Sequence, residues 1–216
     1  MSGKIKEWQD SLLLELGERL IPLGFDPKAK GQSFYRKFDG GRHALHIGFI
    51  RHPHDLDITA NVAVRFDAIE ELVSEFRPQH SFAPKKMPTT WTLGCELGNL
   101  AGEGQHRWNI ADKTDVVKAA DGVIEKFRAI GLPYLERFSS LEMVLQVLSG
   151  DDKAAWLHSA IHDCRAMRAI AAAYVLDRKQ ECLELISKKT QFLEQRNNFG
   201  LNGFSEMTEA LKSRLS

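Results

Sequence analysis

Four of the chain's eight histidines, His43, His46, His52 and His54, fall within twelve consecutive positions. Imidazole is the side chain that most often ligates transition metals. In the run His52-Pro53-His54-Asp55-Leu56-Asp57, two imidazoles and two carboxylates share one loop. A His-x-His pair in extended backbone sends both rings to the same side, which is a usable ligand geometry. The plainer interpretation is a polar hairpin loop with Pro53 fixing the turn and the side chains in water. Alternation along a strand puts His43 and His46 on opposite faces, so they do not extend the set. His52, His54, Asp55 and Asp57 are the candidate binding residues, with no metal and no cofactor assigned to them.

Other constellations are incomplete. His158 and His162 are four apart and would share a helical face. The helical zinc motif needs a Glu beside its first His, and Ser159 stands there. Cys95 with His106 and Asp112 has the residue types of an activated thiolate, yet a strand cysteine is usually small core packing. Gly94, Gly98, Gly102 and Gly104 invite a phosphate loop, but Gln105-His106 follows where Lys-Ser/Thr is required. No Gly-x-Ser-x-Gly elbow occurs. Arg36, Lys37, Arg42 and Arg51 with Tyr35 and Trp91 suggest a basic-aromatic face for RNA. The RNA-recognition signature is absent, and strand-edge lysines and arginines explain these residues more simply.

The elements that must position these groups are legible from periodicity. Ile5, Trp8, Leu12, Leu16 and Leu20 recur at helical spacing, with Leu13 and Ile21 alongside. Leu23-Gly24-Phe25 reads as the cap. Strands are predicted over Ser33–Asp39, Arg42–Arg51 and Asp57–Phe66, with Gly40-Gly41 as a hairpin turn. In the third strand Ile58, Ala60, Val62, Val64 and Phe66 alternate with Asp57, Thr59, Asn61 and Arg65, which predicts one covered face and one wetter face. Asp67-Ala68-Ile69-Glu70 reads as a capping box for a short helix. Arg77–Thr89, with three prolines, is the longest irregular segment. Trp91–Leu97 and Gln105–Ile110 are read as neighbouring strands joined by a Gly98–Gly104 loop. A helix follows from Asp112 to Ala129, with Gly131 as its stop.

From there the pattern is helical. Ser139-Ser140-Leu141-Glu142 is a capping box. Asp151 or Asp152 opens a helix striped by Leu157, Ile161, Cys164, Met167, Ala171 and Tyr174. Asp177 with Gln180 restarts a partner helix, giving an antiparallel hairpin. A Gly200–Gly203 break precedes a last segment through Leu211. The expectation is an α+β fold: an antiparallel sheet of about four to five strands packed by helices (1–130), then an all-helical part with a helical hairpin (131–216).

Lys+Arg and Asp+Glu both number 29, so the formal net charge is zero. A nucleic-acid partner is disfavoured on that ground. Three widely spaced cysteines form neither a disulfide framework nor a zinc ribbon, which suits a reducing compartment. No run approaches the roughly eighteen apolar residues of a membrane span. A cytoplasmic location without membrane association is expected.

Several landmarks recur in a known order: Leu23-Gly24-Phe25, Ser33-Phe34-Tyr35-Arg36, the strand Ile58–Phe66, Trp91-Thr92-Leu93-Gly94, and Arg107-Trp108-Asn109-Ile110. In these the chain resembles domain-of-unknown-function family 4304, a bacterial group, over about its first two thirds. The resemblance implies an α+β domain and a bacterial origin, and brings no catalytic residue with it. By analogy with other small bacterial domains it admits an antidote-like role. The expected function is a non-enzymatic interaction module for a protein partner, contacting it through Arg77–Thr89 and the His52–Asp57 loop. The competing expectation is a metal-dependent hydrolase using that same loop.

Overall fold

A computed structural model describes residues 2–76, 90–196 and 201–216. The irregular segment expected over Arg77–Thr89 lies outside them. Contacts divide the chain into two compact units, each built from two stretches. One is Met1–Val64 with Gly94–Arg137, the other Arg65–Leu93 with Phe138–Ser216.

The first unit begins with α1 (Ser2–Leu20), which buries Trp8, Leu12, Leu16 and Leu20 at the predicted spacing. Leu13 is only half-buried, and Ile21 is exposed in the 3-10 turn Ile21–Leu23 that follows. Gly24 then takes φ +79, its N–H donates to Ile21 O, and the Phe25 N–H reaches back to Leu20 O. This is the two-bond cap that glycine permits, as expected, and Phe25 is buried.

Strands β1 (Ser33–Phe38) and β2 (Gly41–Arg51) pair antiparallel in a register that sets Phe38 opposite Gly41. The hairpin therefore turns on Asp39-Gly40 and not on Gly40-Gly41. Only Gly40 of the two glycines has positive φ, at +77. Strand β3 (Leu56–Phe66) buries Ile58, Ala60, Val62 and Val64 as predicted. Its other face is drier than expected: Thr59, Ala63 and Arg65 are buried too.

After α2 (Asp67–Glu75) the sheet resumes with β4 (Leu93–Glu96), the short helix α3 (Leu97–Leu100) and β5 (Trp108–Ile110). The described sheet has five strands: β1-β2-β3-β4 lie side by side in that order, and β5 pairs antiparallel with β3. Thus β5 is not the neighbour expected for Trp91–Leu97. The supposed glycine loop is partly helical: the Glu96 carboxylate caps α3 by accepting from the Asn99 N–H at 2.9 Å, and also accepts from the His106 N–H at 3.3 Å.

Helix α4 (Asp115–Lys126) packs on α1. Asp112 precedes it, accepting from Thr114 N and Oγ1, and does not cap it. Gly131 does not end this run either. A π-helical stretch, Phe127–Gly131, carries the chain into α5 (Leu132–Arg137). Pro133 has no N–H to donate, and a widened turn accommodates such a gap in the ladder. The glycine serves close packing. A Cβ there would stand 2.6 Å from Phe127 Cδ2, 2.9 Å from Leu97 Cδ2 and 3.0 Å from Val62 Cγ1.

The second unit is mainly helical. In α2, Ile69, Leu72 and Val73 are buried, but the predicted capping box does not form: Asp67 accepts from Arg65 Nε. The buried Glu70 instead takes Arg168 Nε at 2.8 Å. Helix α6 (Leu141–Leu148) is capped by Ser140, one residue later than the Ser139 box, and α7 (Lys153–His158) by Asp152. The single helix expected across 151–174 is broken at 159–161, and α8 (His162–Val175) starts after it with Ile161 exposed.

Helices α8 and α9 (Lys179–Glu194) pack against each other as the predicted hairpin. Asp177 does not open α9. It closes α8 with φ 54, its N–H donating to Tyr174 O while that of Arg178 reaches Ala173 O. Buried Lys189 donates from Nζ to Ser149 O, Gly150 O and Asp151 Oδ1 at 3.0, 3.1 and 2.6 Å, tying the end of α6 to α9. Helix α10 (Leu201–Leu215) contains Gly203 and runs past Leu211, burying Phe204, Met207 and Leu211. Among the described residues no helix is long and apolar enough to cross a membrane.

Candidate functional site

The His52–Asp57 run closes the β2–β3 connection. The His52 N–H donates to Asp55 O at 3.0 Å, making a tight turn with Pro53 and His54 exposed at its tip. Leu56 and Ile58 flank Asp57 and are both fully buried, so the pleat aims Asp57 at the opposite face. There it lies across from Asn109 of β5. Asn109 Nδ2 donates to Asp57 Oδ1 at 3.0 Å, Arg107 Nη1 donates to Oδ2 at 3.3 Å, and His52 Nε2 lies 3.3 Å from Oδ2. The Asn109 hydrogen bond, helped by His52 and Arg107, holds the Asp57 carboxyl below its usual range.

His52, Asp55 and Asp57 each offer a ligand atom, and these atoms lie within 4.8 Å of one another. His54 is not among them, so the His-x-His pairing expected from extended backbone is replaced by one imidazole with two carboxylates. A turn, not a strand, spans 52–55, and alternation does not apply there. Arg107 and Asn109 were not foreseen in this role. Their signal was a two-residue spacing, Arg107 just before β5 and Asn109 within it, which becomes informative only once β5 is known to pair with β3.

The other constellations are dispersed. His43 is 2% exposed, receives Arg36 Nε and Nη2 on Nδ1 at 3.2 and 3.1 Å, and stacks on Phe38 with 4.6 Å between centroids. Burial, reinforced by Arg36, lowers its pKa to about 4. His46 Nδ1 meets Ser33 Oγ at 2.9 Å. His158 and His162 sit on different helices, the first beside Phe138 and the second beside Phe192, so the shared face expected of them does not exist. Burial raises the Cys95 thiol to about 11, which removes the thiolate that a dyad needs. The RNA-face arginines are engaged within the fold: Arg36 with His43, Arg51 with Gln9 Oε1 at 2.6 Å, and Arg42 over the Tyr35 ring at 5.3 Å.

The chain is an α+β protein, and among the described residues its cluster of candidate ligand groups is a surface turn braced by the neighbouring strand. No family model, no curated protein and no solved structure matches the chain.

Proposed function

We propose that the chain is a protein-interaction module whose contact surface is centred on the His52–Asp57 turn. The observation that carries this reading is the bracing of an exposed polar loop. Asp57 is held by Asn109, Arg107 and His52, while His54 stands exposed at the tip of the turn. A loop already fixed gives up little conformational freedom on binding, and binding residues concentrate on such loops. The likeness to family 4304 adds a bacterial setting to the proposal. The three free cysteines support a cytoplasmic one.

The test compares proteins retained from host lysate by the wild-type chain and by a His54→Ala/Asp55→Lys double variant. The expected result is one partner held by the wild type and depleted about tenfold by the variant, since charge reversal at a contact is strongly unfavourable. Identical retention by both chains sinks the reading.

A second reading is favoured by one specific observation, the convergence of His52, Asp55 and Asp57. One imidazole and two carboxylates suit zinc or manganese, with positions left for water, the ligand set a metal-dependent hydrolase would use. The ion would displace Arg107 from Asp57, an exposed contact that costs little to break. Calorimetric titration with Zn2+ and Mn2+ checks it. This reading expects stoichiometric binding that Asp57→Asn abolishes, and heats equal for both proteins reject it.

A further inference from the structure

A cleft of about 320 Å3 opens beside β5, with His106 and Trp108 on one side and Gly122, Glu125, Lys126 and Ile130 on the other. It is separate from the His52–Asp57 turn. Along β5 the side chain of Asn109 meets Asp57, and alternation sends Trp108 to the other face. The volume is at the small end for ligand sites and suits a side-chain tip or small ion better than a nucleotide.

The aromatic wall is held in place by its neighbours. The rings of His106 and Trp108 meet at 4.4 Å and 62°. A Cβ on Gly122 would stand 2.6 Å from Trp108 Nε1 and 2.9 Å from its Cδ1, so the N–H edge of the indole is pressed against the α4 backbone. What the indole can offer the cleft is its π face. The charges are unequal in what they have left to give. Lys126 Nζ is paired with Glu103 Oε2 at 2.6 Å. Glu125 is exposed and makes no ion pair or hydrogen bond with any described residue. The cleft thus combines a neutralised ammonium, a free carboxylate and an indole face. An anion would meet the carboxylate of Glu125, with Lys126 already paired and His106 the other basic group on the lining, whereas a cation gains from both the carboxylate and the ring.

We propose that this cleft binds an alkylammonium or guanidinium group, seated between Trp108 and Glu125. The proposal stands independently of the interaction surface above.

The indole N–H resonances of the full chain report it directly. The chain has four tryptophans, and Trp108→Phe identifies the relevant signal. The probes are N-acetylarginine amide, N-acetyllysine amide, tetramethylammonium and, as the neutral isostere of arginine, N-acetylcitrulline amide. The Trp108 signal is expected to shift saturably with the cationic probes in the millimolar range, and not with citrulline. Affinity should fall about threefold to tenfold in Glu125→Gln, and raising salt should weaken the wild type more than that variant. Binding by the two amino-acid amides alone assigns the site to a protein side chain, and binding by tetramethylammonium alone assigns it to a small quaternary amine. Equal shifts with citrulline, unchanged affinity in Glu125→Gln, or no shift with any cation overturns the proposal.

Discussion

Asp177 is the only described residue other than glycine with positive φ, at 54. A side chain in the left-handed region is strained, and aspartate reduces that strain without removing it. Asp177→Gly is expected to stabilise the protein by about 0.5–1 kcal/mol, because the two-bond cap of α8 survives and the Cβ penalty goes. A rise of about 2–4 °C in the thermal midpoint would be the readout, and an unchanged or lowered midpoint would contradict it. The same residue shows how far local chemistry could be read. Aspartate before a helix is a good start signal, but here backbone bonds to Tyr174 and Ala173 make it the end of the preceding helix. The candidate site was half legible for a similar reason. Residue types singled out the 52–57 turn, but Arg107 and Asn109 come from 50 and 52 positions beyond Asp57, and no spacing rule connects them.

At the scale of elements, period and caps carried the reading, and non-local pairing defeated it. The stripe of α1 and the alternation of β3 were legible because each is written in consecutive residues. The partner of β5 was not, since strand order depends on closure entropy and packing over the whole sheet. Gly131 was misread because a stop signal and a close-packing site use the same residue. That difference is measurable. Gly131→Ala forces a methyl against Phe127, Leu97 and Val62 and is expected to destabilise by about 1–3 kcal/mol, partly offset by alanine's helix preference. Gly3→Ala, where nothing lies within 4 Å, should be neutral or slightly stabilising. Denaturant midpoints for the pair decide the matter, and equal effects would refute the packing account.

For the whole molecule, buried His43 and the half-buried His46 and His162 set an acid limit. His43 titrates at about 4 in the folded chain against about 6.5 unfolded, and burial lowers His46 and His162 in the same direction. Between those values the unfolded chain binds more protons, so stability is complete above about pH 6.5 and is lost as pH falls toward 4. His43 alone should account for on the order of 2 kcal/mol of that loss. Urea unfolding at pH 7, 5.5 and 4.5 is the check. His43→Gln should be less stable at pH 7 but show a shallower fall, and a slope equal to that of the wild type would exclude His43 as the cause.

The Glu70–Arg168 pair spans 98 positions, with a carboxylate wholly shielded from solvent at its early end. During synthesis the ribosome delivers Glu70 long before the guanidinium that neutralises it. Until the chain has grown through α8, α2 lacks the arginine that meets this carboxylate. A message truncated after residue 137 would make α2 without α8, the helix it packs against.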